Sequence, residues 1–241
     1  MRRNEAMKSG RLAAAVTGFL MAMTVGLCAT VENAYAVPTL QLSDGVTTKT
    51  VSDEGLGDGL SGTAGAVMFS GSVGNFIVNV TTGLSKPLLG SATYPSLDLS
   101  SVNVSSIGGG TLTIMLTDTD FLSSTPFLIR SEIGGVASGN ISYKSYFDAS
   151  NAAFGTANLL GNLGSYSGAF SGSSLDNMTA IGPYSLTLAA TVTHPGGGSW
   201  PQATSFNATL RVPEPGTVTL LGVGLLIVGL YSWRKRGAAR P

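Results

Sequence analysis

Apolar and polar residues alternate one by one along four stretches of this chain. Phe76, Val78 and Val80 interleave with Asn75, Ile77, Asn79 and Thr81. Leu112, Ile114 and Leu116 interleave with Thr111, Thr113, Met115 and Thr117. Tyr184, Leu186, Leu188, Ala190 and Val192 interleave with Ser185, Thr187, Ala189, Thr191 and Thr193, and Phe206, Ala208, Leu210 and Val212 with Ser205, Asn207, Thr209 and Arg211. A period of two places each apolar set on one face of a strand, so one side is buried and the other wet. Glycine clusters at Gly108-Gly109-Gly110, Gly134-Gly135 and Gly196-Gly197-Gly198 are expected to break the chain between these runs. Between residues 37 and 212 no long helical period occurs; Ala152 to Leu163 is the one stretch expected to carry a short helix. The pattern predicts an all-β body, an antiparallel β-sandwich of jelly-roll or Ig-like kind, with strands of roughly 5–8 residues. Phe76, Val78, Leu112, Ile114, Leu186 and Leu188 should point inward.

Composition narrows the function. Of 241 residues, 11% are charged and 43% hydrophobic, enough apolar content for a core. Ser (29), Thr (25) and Gly (33) together exceed a third of the chain. The basic and acidic totals are equal, so the basic excess that a nucleic-acid binder needs is missing. One Cys and one His exclude a zinc finger, an iron–sulfur site and a disulfide framework. Within 37–212, five basic residues (Lys49, Lys86, Arg130, Lys144, Arg211) face ten acidic ones, a net of −5. Such a body is soluble and ill suited to holding a polyanion by charge.

The two ends read as addresses. Residues 1–36 form a secretory signal: Arg2, Arg3, Lys8 and Arg11 precede an apolar run from Leu12 to Val31, and Ala34-Tyr35-Ala36 supplies the small-x-small cleavage pattern. Cleavage after Ala36 would leave Val37 first; the alternative is a retained N-terminal membrane helix. Leu27 stands before Cys28 where a lipoprotein signal needs a small residue, so Cys28 is expected to leave with the signal. Arg2-Arg3 lacks twin-arginine flanks, which favours general secretion.

At the other end, 19 uncharged residues separate Glu214 from Arg234. As a helix at about 1.5 Å per residue they span about 28 Å, close to a hydrocarbon core. The expected transmembrane helix is 217–233, with Tyr231 and Trp233 near the lower interface. The basic stop is Arg234, Lys235 and Arg236, with Arg240 beyond it, which puts the C-terminus in the cytoplasm and the body outside. A buried core helix is the competing reading. Three parts follow in order: Val212-Pro213-Glu214-Pro215-Gly216-Thr217, Leu220-Leu221-Gly222-Val223-Gly224-Leu225-Leu226, and Arg234-Lys235-Arg236. Together they resemble the PEP-CTERM sorting signal of Gram-negative bacteria. The resemblance implies recognition by exosortase, a membrane-embedded cysteine-protease-like transpeptidase, with Pro213, Glu214 and Pro215 as the recognised elements. It further implies processing near those residues and a link to exopolysaccharide production. Gly71–Phe121 also resembles a body segment of some secreted PEP-CTERM proteins, which names no activity. The domain scheme is thus a signal peptide (1–36), an extracytoplasmic body (37–212) and a sorting signal (213–241).

Candidate chemistry in the body is sparse. Gly57-Asp58-Gly59-Leu60-Ser61-Gly62 matches a dinucleotide fingerprint in letters, but an acidic loop precedes it and no helix pattern follows. His194 is expected as an exposed turn histidine, and no G-x-S-x-G elbow accompanies it. Asp118 and Asp120 lie two apart, on one face if their strand continues, as a glycosidase pair would need. Asp53, Glu54 and Asp58 are weak calcium candidates on a Gly-bearing loop. Trp200, the body's one Trp, is a candidate stacking platform for a glycan or a cover for one end of the core. Tyr143, Tyr146 and Phe147 form a second aromatic group. Five N-x-[S/T] triplets, at Asn79, Asn103, Asn140, Asn177 and Asn207, are expected to arise from Thr-rich strands. The leading expectation is a non-enzymatic exported surface or matrix protein without cofactor, partnered by an exosortase-like enzyme, the cytoplasmic membrane and exopolysaccharide. A carbohydrate-binding module on the same anchor comes second, beside a simple single-pass membrane protein, and a hydrolase third.

Overall fold

The computed structural model describes residues 37–123, 127–197 and 200–213, together with 223, 224 and 226. Ten strands follow in chain order: β1 (Thr39–Ser43), β2 (Thr48–Ser52), β3 (Ala66–Val73), β4 (Phe76–Leu84), β5 (Ser96–Ser106), β6 (Gly110–Ser123), β7 (Phe127–Asp148), β8 (Asn158–Met178), β9 (Gly182–His194) and β10 (Gln202–Arg211). Every pairing among them is antiparallel. The order across the sheet is β2-β1-β6-β9-β7-β10-β5-β4-β3, with β8 beside β7.

The long strand β7 explains how one sheet encloses a core. Its first part, Arg130–Ala137, pairs with β10; its last part, Asn140–Asp148, pairs with β9 on the same edge. β8 runs along the other edge, and its register breaks between Ala137 and Ile141. β7 and β8 therefore turn from one half of the sheet into the other, as corner strands do. Glycine permits the turn. A Cβ on Gly135 would sit 2.1 Å from Ser205 O, and one on Gly139 2.1 Å from Thr193 O.

Side chains from both halves meet in a single apolar cluster. Leu42, Ile114, Leu188 and Tyr143 come from one half, and Val78, Leu99, Phe206 and Leu210 from the other. Each such fully buried side chain contributes about 1.5–3 kcal/mol. The Tyr143 hydroxyl donates to Thr209 O at 2.8 Å and ties the halves together. All six residues expected inward are fully buried.

Three expectations are corrected. Strands are not uniformly short: β6 has 14 residues, β7 22 and β8 21. Gly134-Gly135 is not a break but lies inside β7, because a strand can carry glycine where another backbone approaches. Ala152–Leu163 forms no helix; residues 149–157 connect β7 to β8, and β8 begins at Asn158. That connection covers the outer side of β9, where Ser185 Oγ donates to Ala152 O at 2.6 Å and Phe154 N donates to Thr117 Oγ1 at 3.1 Å.

The signal, with Ala34 and Ala36, lies outside the described residues, as does most of 217–233. Val223, Gly224 and Leu226 are helical. Among the described residues no helix is long and apolar enough to cross a membrane.

Candidate functional site

The outer face of the half built from β3, β4, β5, β10 and the start of β7 is grooved. Register aligns its side chains in rows across the strands. Ser70 lies opposite Asn79, Asn79 opposite Asn103, Asn103 opposite Ser205, and Ser205 opposite Val136. All five are exposed. Adjacent strands lie about 4.8 Å apart, so the row forms a regular ladder of amides and hydroxyls ending at an apolar residue. One groove of about 690 Å³ runs over Glu132, Gly134, Gly172, Asn207 and Thr209. A second, about 360 Å³, crosses Asn79, Asn103, Ser205, Ile77 and Val136. A third, about 270 Å³, is lined by Asn75, Ile77, Ser105, Ile107 and Pro201.

A β-bulge shapes the middle of this face. The pairing of β10 with β5 slips between Phe206 and Ala208, and Ser101 there adopts φ +53°. A bulge lets side chains bond the backbone around the extra residue. Asn207 Oδ1 accepts from Ser101 N at 2.6 Å, and Asn103 Nδ2 donates to Ser101 O at 3.1 Å. Two groove amides are thereby oriented by one bulged residue. At the far end, Glu132 bonds Arg211 at 2.9 Å and Arg130 at 3.4 Å. Partial burial raises the Glu132 carboxyl, but the two guanidiniums outweigh it and hold the group below its usual value. Thr209 Oγ1, also at this end, is buried and has no hydrogen-bond partner among the described residues.

The residues singled out for chemistry are placed elsewhere. Asp118 is fully buried, against expectation for a catalytic pair, because it continues the inward set Leu112, Ile114 and Leu116; β6 bulges only after it, between Asp118 and Phe121. Its Oδ2 accepts from Lys86 Nζ at 2.9 Å and Ser85 Oγ at 2.5 Å, and its Oδ1 from Thr119 N at 2.8 Å. Lys86 also donates to Thr119 O and lies 4.1 Å from the centroid of the Phe121 ring. Burial raises the Asp118 carboxyl more than Lys86 and Ser85 lower it. Asp120 points to solvent with φ +58° and exchanges hydrogen bonds with Asn151. The two carboxylates do not share a face.

His194 is not an exposed turn residue. It is 1% exposed, with Nδ1 2.8 Å from Ser106 Oγ and Nε2 2.9 Å from Thr204 Oγ1, and its ring lies 5.8 Å from that of Phe76. Burial pushes its pKa down. Sequence spacing carries no sign of this site, because Ser106 and Thr204 come from β5 and β10.

In the acidic loop each carboxylate takes backbone amides. Asp53 Oδ2 accepts from Gly65 N at 2.7 Å, and both Glu54 oxygens from Gly62 N at 2.9 Å. Asp58 Oδ1 accepts from Leu60 N at 3.0 Å and Met68 N at 2.9 Å. Burial, then the charges of Asp58 and Glu54, raise Asp53 despite the Gly65 bond. Among the described residues no group of three or more His, Cys, Asp or Glu is placed to hold a metal. Trp200 is 82% exposed, next to Pro201 on the rim of the third groove. β10 ends at Arg211, and Val212 and Pro213 continue without regular structure. Glu214, Pro215, Arg234, Lys235 and Arg236 lie outside the described residues.

The tail that follows is identified by comparison. The family model of the PEP-CTERM protein-sorting motif matches residues 211–236. The chain thus carries a PEP-CTERM sorting motif, which implies an exosortase-sorted protein destined for the cell surface or the extracellular space. No curated protein matches the chain. Solved structures similar to it include a β-glucosidase from Kluyveromyces marxianus, at 7% identity and TM-score 0.35, over 78% of this chain and 17% of that one. The adhesin domain of Epf from Streptococcus pyogenes is similar at 13% identity and TM-score 0.34, over 77% and 64%. The C-terminal CBM6 of LamC from Zobellia galactanivorans is similar at 17% identity and TM-score 0.24, over 56% and 90%. The chain spans less than two thirds of the length of the first two, and at these scores none of the three likenesses bears on function.

Proposed function

We propose that this protein is a non-enzymatic exported surface or matrix protein. It is delivered by residues 1–36 and parked in the cytoplasmic membrane by 217–233. An exosortase-like enzyme then processes it near Pro213-Glu214-Pro215, and it is retained in exopolysaccharide or biofilm. The observation that carries the sorting part is the motif match at 211–236, which begins where the last strand ends. The absence of catalysis is supported by how the reactive groups are committed. Asp118 is held by Lys86, and both ring nitrogens of His194 are taken up by the hydroxyls of Ser106 and Thr204. The folded sheet is read as a β-sandwich of jelly-roll or Ig-like kind. A second reading, a carbohydrate-binding body on the same anchor, is favoured by the exposure of Trp200 beside a groove.

Mass spectrometry of the protein from cells with and without the exosortase tests the sorting reading. The expected product starts at Val37 and lacks the basic tail only when the enzyme is present. A tail ending at Pro241 in both strains would leave permanent single-pass anchoring instead.

A further inference from the structure

Three of the five N-x-[S/T] triplets fall on one surface. Asn79, Asn103 and Asn207 all line the grooves of the outer face described above. In a strand, residues i and i+2 share a face. Asn-x-Ser at 103–105 and Asn-x-Thr at 207–209 therefore each place an amide and a hydroxyl side by side on that face. The triplet is here a strand pattern that builds a hydrogen-bonding surface.

We infer that this face binds a neutral polysaccharide chain, laid across the row Asn79, Asn103, Ser205 and Val136. The inference rests on the exported-protein reading, which supplies such a chain as a neighbour. Charge decides the class of ligand. The row itself carries no charged side chain; farther along the same strands, Glu132 pairs with Arg130 and Arg211, and Asp98, opposite Thr209, accepts from Ser100 Oγ at 2.9 Å. A nucleic acid or an acidic polysaccharide needs cations that are not otherwise engaged. A protein partner is expected to bury an apolar centre, whereas this row has amides and hydroxyls at its middle. A neutral sugar chain asks for what is present: donors and acceptors at regular spacing, and apolar spots for the CH faces of its rings. Ile77 and Val136, 66% and 56% exposed, supply the apolar spots, with Trp200 at the rim. The bulge at Ser101 holds one end of Asn103 and one end of Asn207, which fixes these amides before any ligand arrives.

The test is affinity electrophoresis of the exported protein through gels containing dextran, galactan or hydroxyethylcellulose, with alginate as the anionic comparison. Retardation is expected in at least one neutral gel and not in alginate. Ser205→Arg, a substitution at an exposed position, should weaken that retardation at least tenfold, and Trp200→Ala should weaken it less. Thr111→Arg, on the opposite outer face, should leave it unchanged, and all three variants should keep the thermal midpoint of the parent. Retardation by alginate alone, by no gel, or equally in Ser205→Arg and the parent would overturn the inference. The sorting reading is scored separately, by the mass of the tail in the same preparation. Binding with an intact tail refutes sorting, and a processed tail without binding refutes the groove.

Discussion

At the scale of single residues, buried charge is the sharpest feature. Lys86 and Asp118 are 1% and 0% exposed, 32 positions apart in sequence and 2.9 Å apart in space. Two charges removed from water gain little net stability from each other, but an orphaned one is costly. Asp118→Asn should therefore cost about 3–5 kcal/mol, measured by urea unfolding. Lys86→Met combined with Asp118→Asn should recover most of that loss. Equal instability of the single and double variants would show that the pair is not the cause. His194 makes a second prediction. Its folded pKa lies below the ordinary 6.5 because burial disfavours the charged ring. Above 6.5 both folded and unfolded forms are neutral, so the group does not affect stability. Below 6.5 the unfolded chain takes up a proton that the folded chain resists, so stability falls as pH drops, by at most about 1.4 kcal/mol per pH unit. His194→Gln should flatten this slope between about pH 6.5 and 5. Asp53 and Asp118, whose pKa values are raised, act with the opposite sign, and their slope should persist in both proteins. An unchanged slope in His194→Gln would place the titration elsewhere.

At the scale of elements, β7 and its glycines decide whether one sheet can close over a core. Gly135 stands where β10 crosses close, so Gly135→Ala forces a Cβ to 2.1 Å from Ser205 O and 2.7 Å from Phe206 Cα. Neither atom is the end of a flexible side chain, so backbone must move, at about 1–3 kcal/mol or more. Gly134→Ala, one residue away, meets nothing nearer than 3.6 Å and should leave the thermal midpoint nearly unchanged. Similar midpoints for the two variants would refute the crowding argument. The same strand shows what could be read in advance. Alternation identified the inward faces of β4, β6 and β9, because a face half in water must repeat every two residues. It missed the extent of β7 and β8, because glycine and serine weaken alternation and the sequence signal for a bend is the same as that for a break. The partners of Asp118 and His194 were not legible either: Ser85 and Lys86 lie in the connection after β4, and Ser106 and Thr204 on β5 and β10, segments brought to β6 and β9 only by the completed sheet. The groove left a local trace in its N-x-[S/T] triplets, which alternation alone assigns to the wet side.

At the scale of the whole molecule, the body and the tail divide the work. The body ends its last strand at Arg211, and the motif occupies 211–236. An enzyme that reads Pro213-Glu214-Pro215 needs an extended segment clear of hydrogen-bonded structure. Proline supplies this by fixing φ and withholding a backbone donor, and Pro213 already lies outside the sheet, just after Val212 N donates to Pro95 O at 3.2 Å. In the proposed anchor the apolar run and the basic cluster have different physical tasks: the first would set depth in a bilayer and the second orientation. The three parts should therefore fail separately. Replacing Pro213, Glu214 and Pro215 with Ala should leave export and insertion intact, since the apolar run and stop are unchanged, and full-length protein should accumulate in the membrane fraction. Replacing Arg234, Lys235 and Arg236 with Ser should instead weaken retention, so that unprocessed protein with its tail attached appears outside the cell. Fractionation followed by intact-mass measurement distinguishes the two defects. If both variants were processed like the parent, the enzyme would be reading neither the motif nor its placement, and the division of roles along the tail would be wrong.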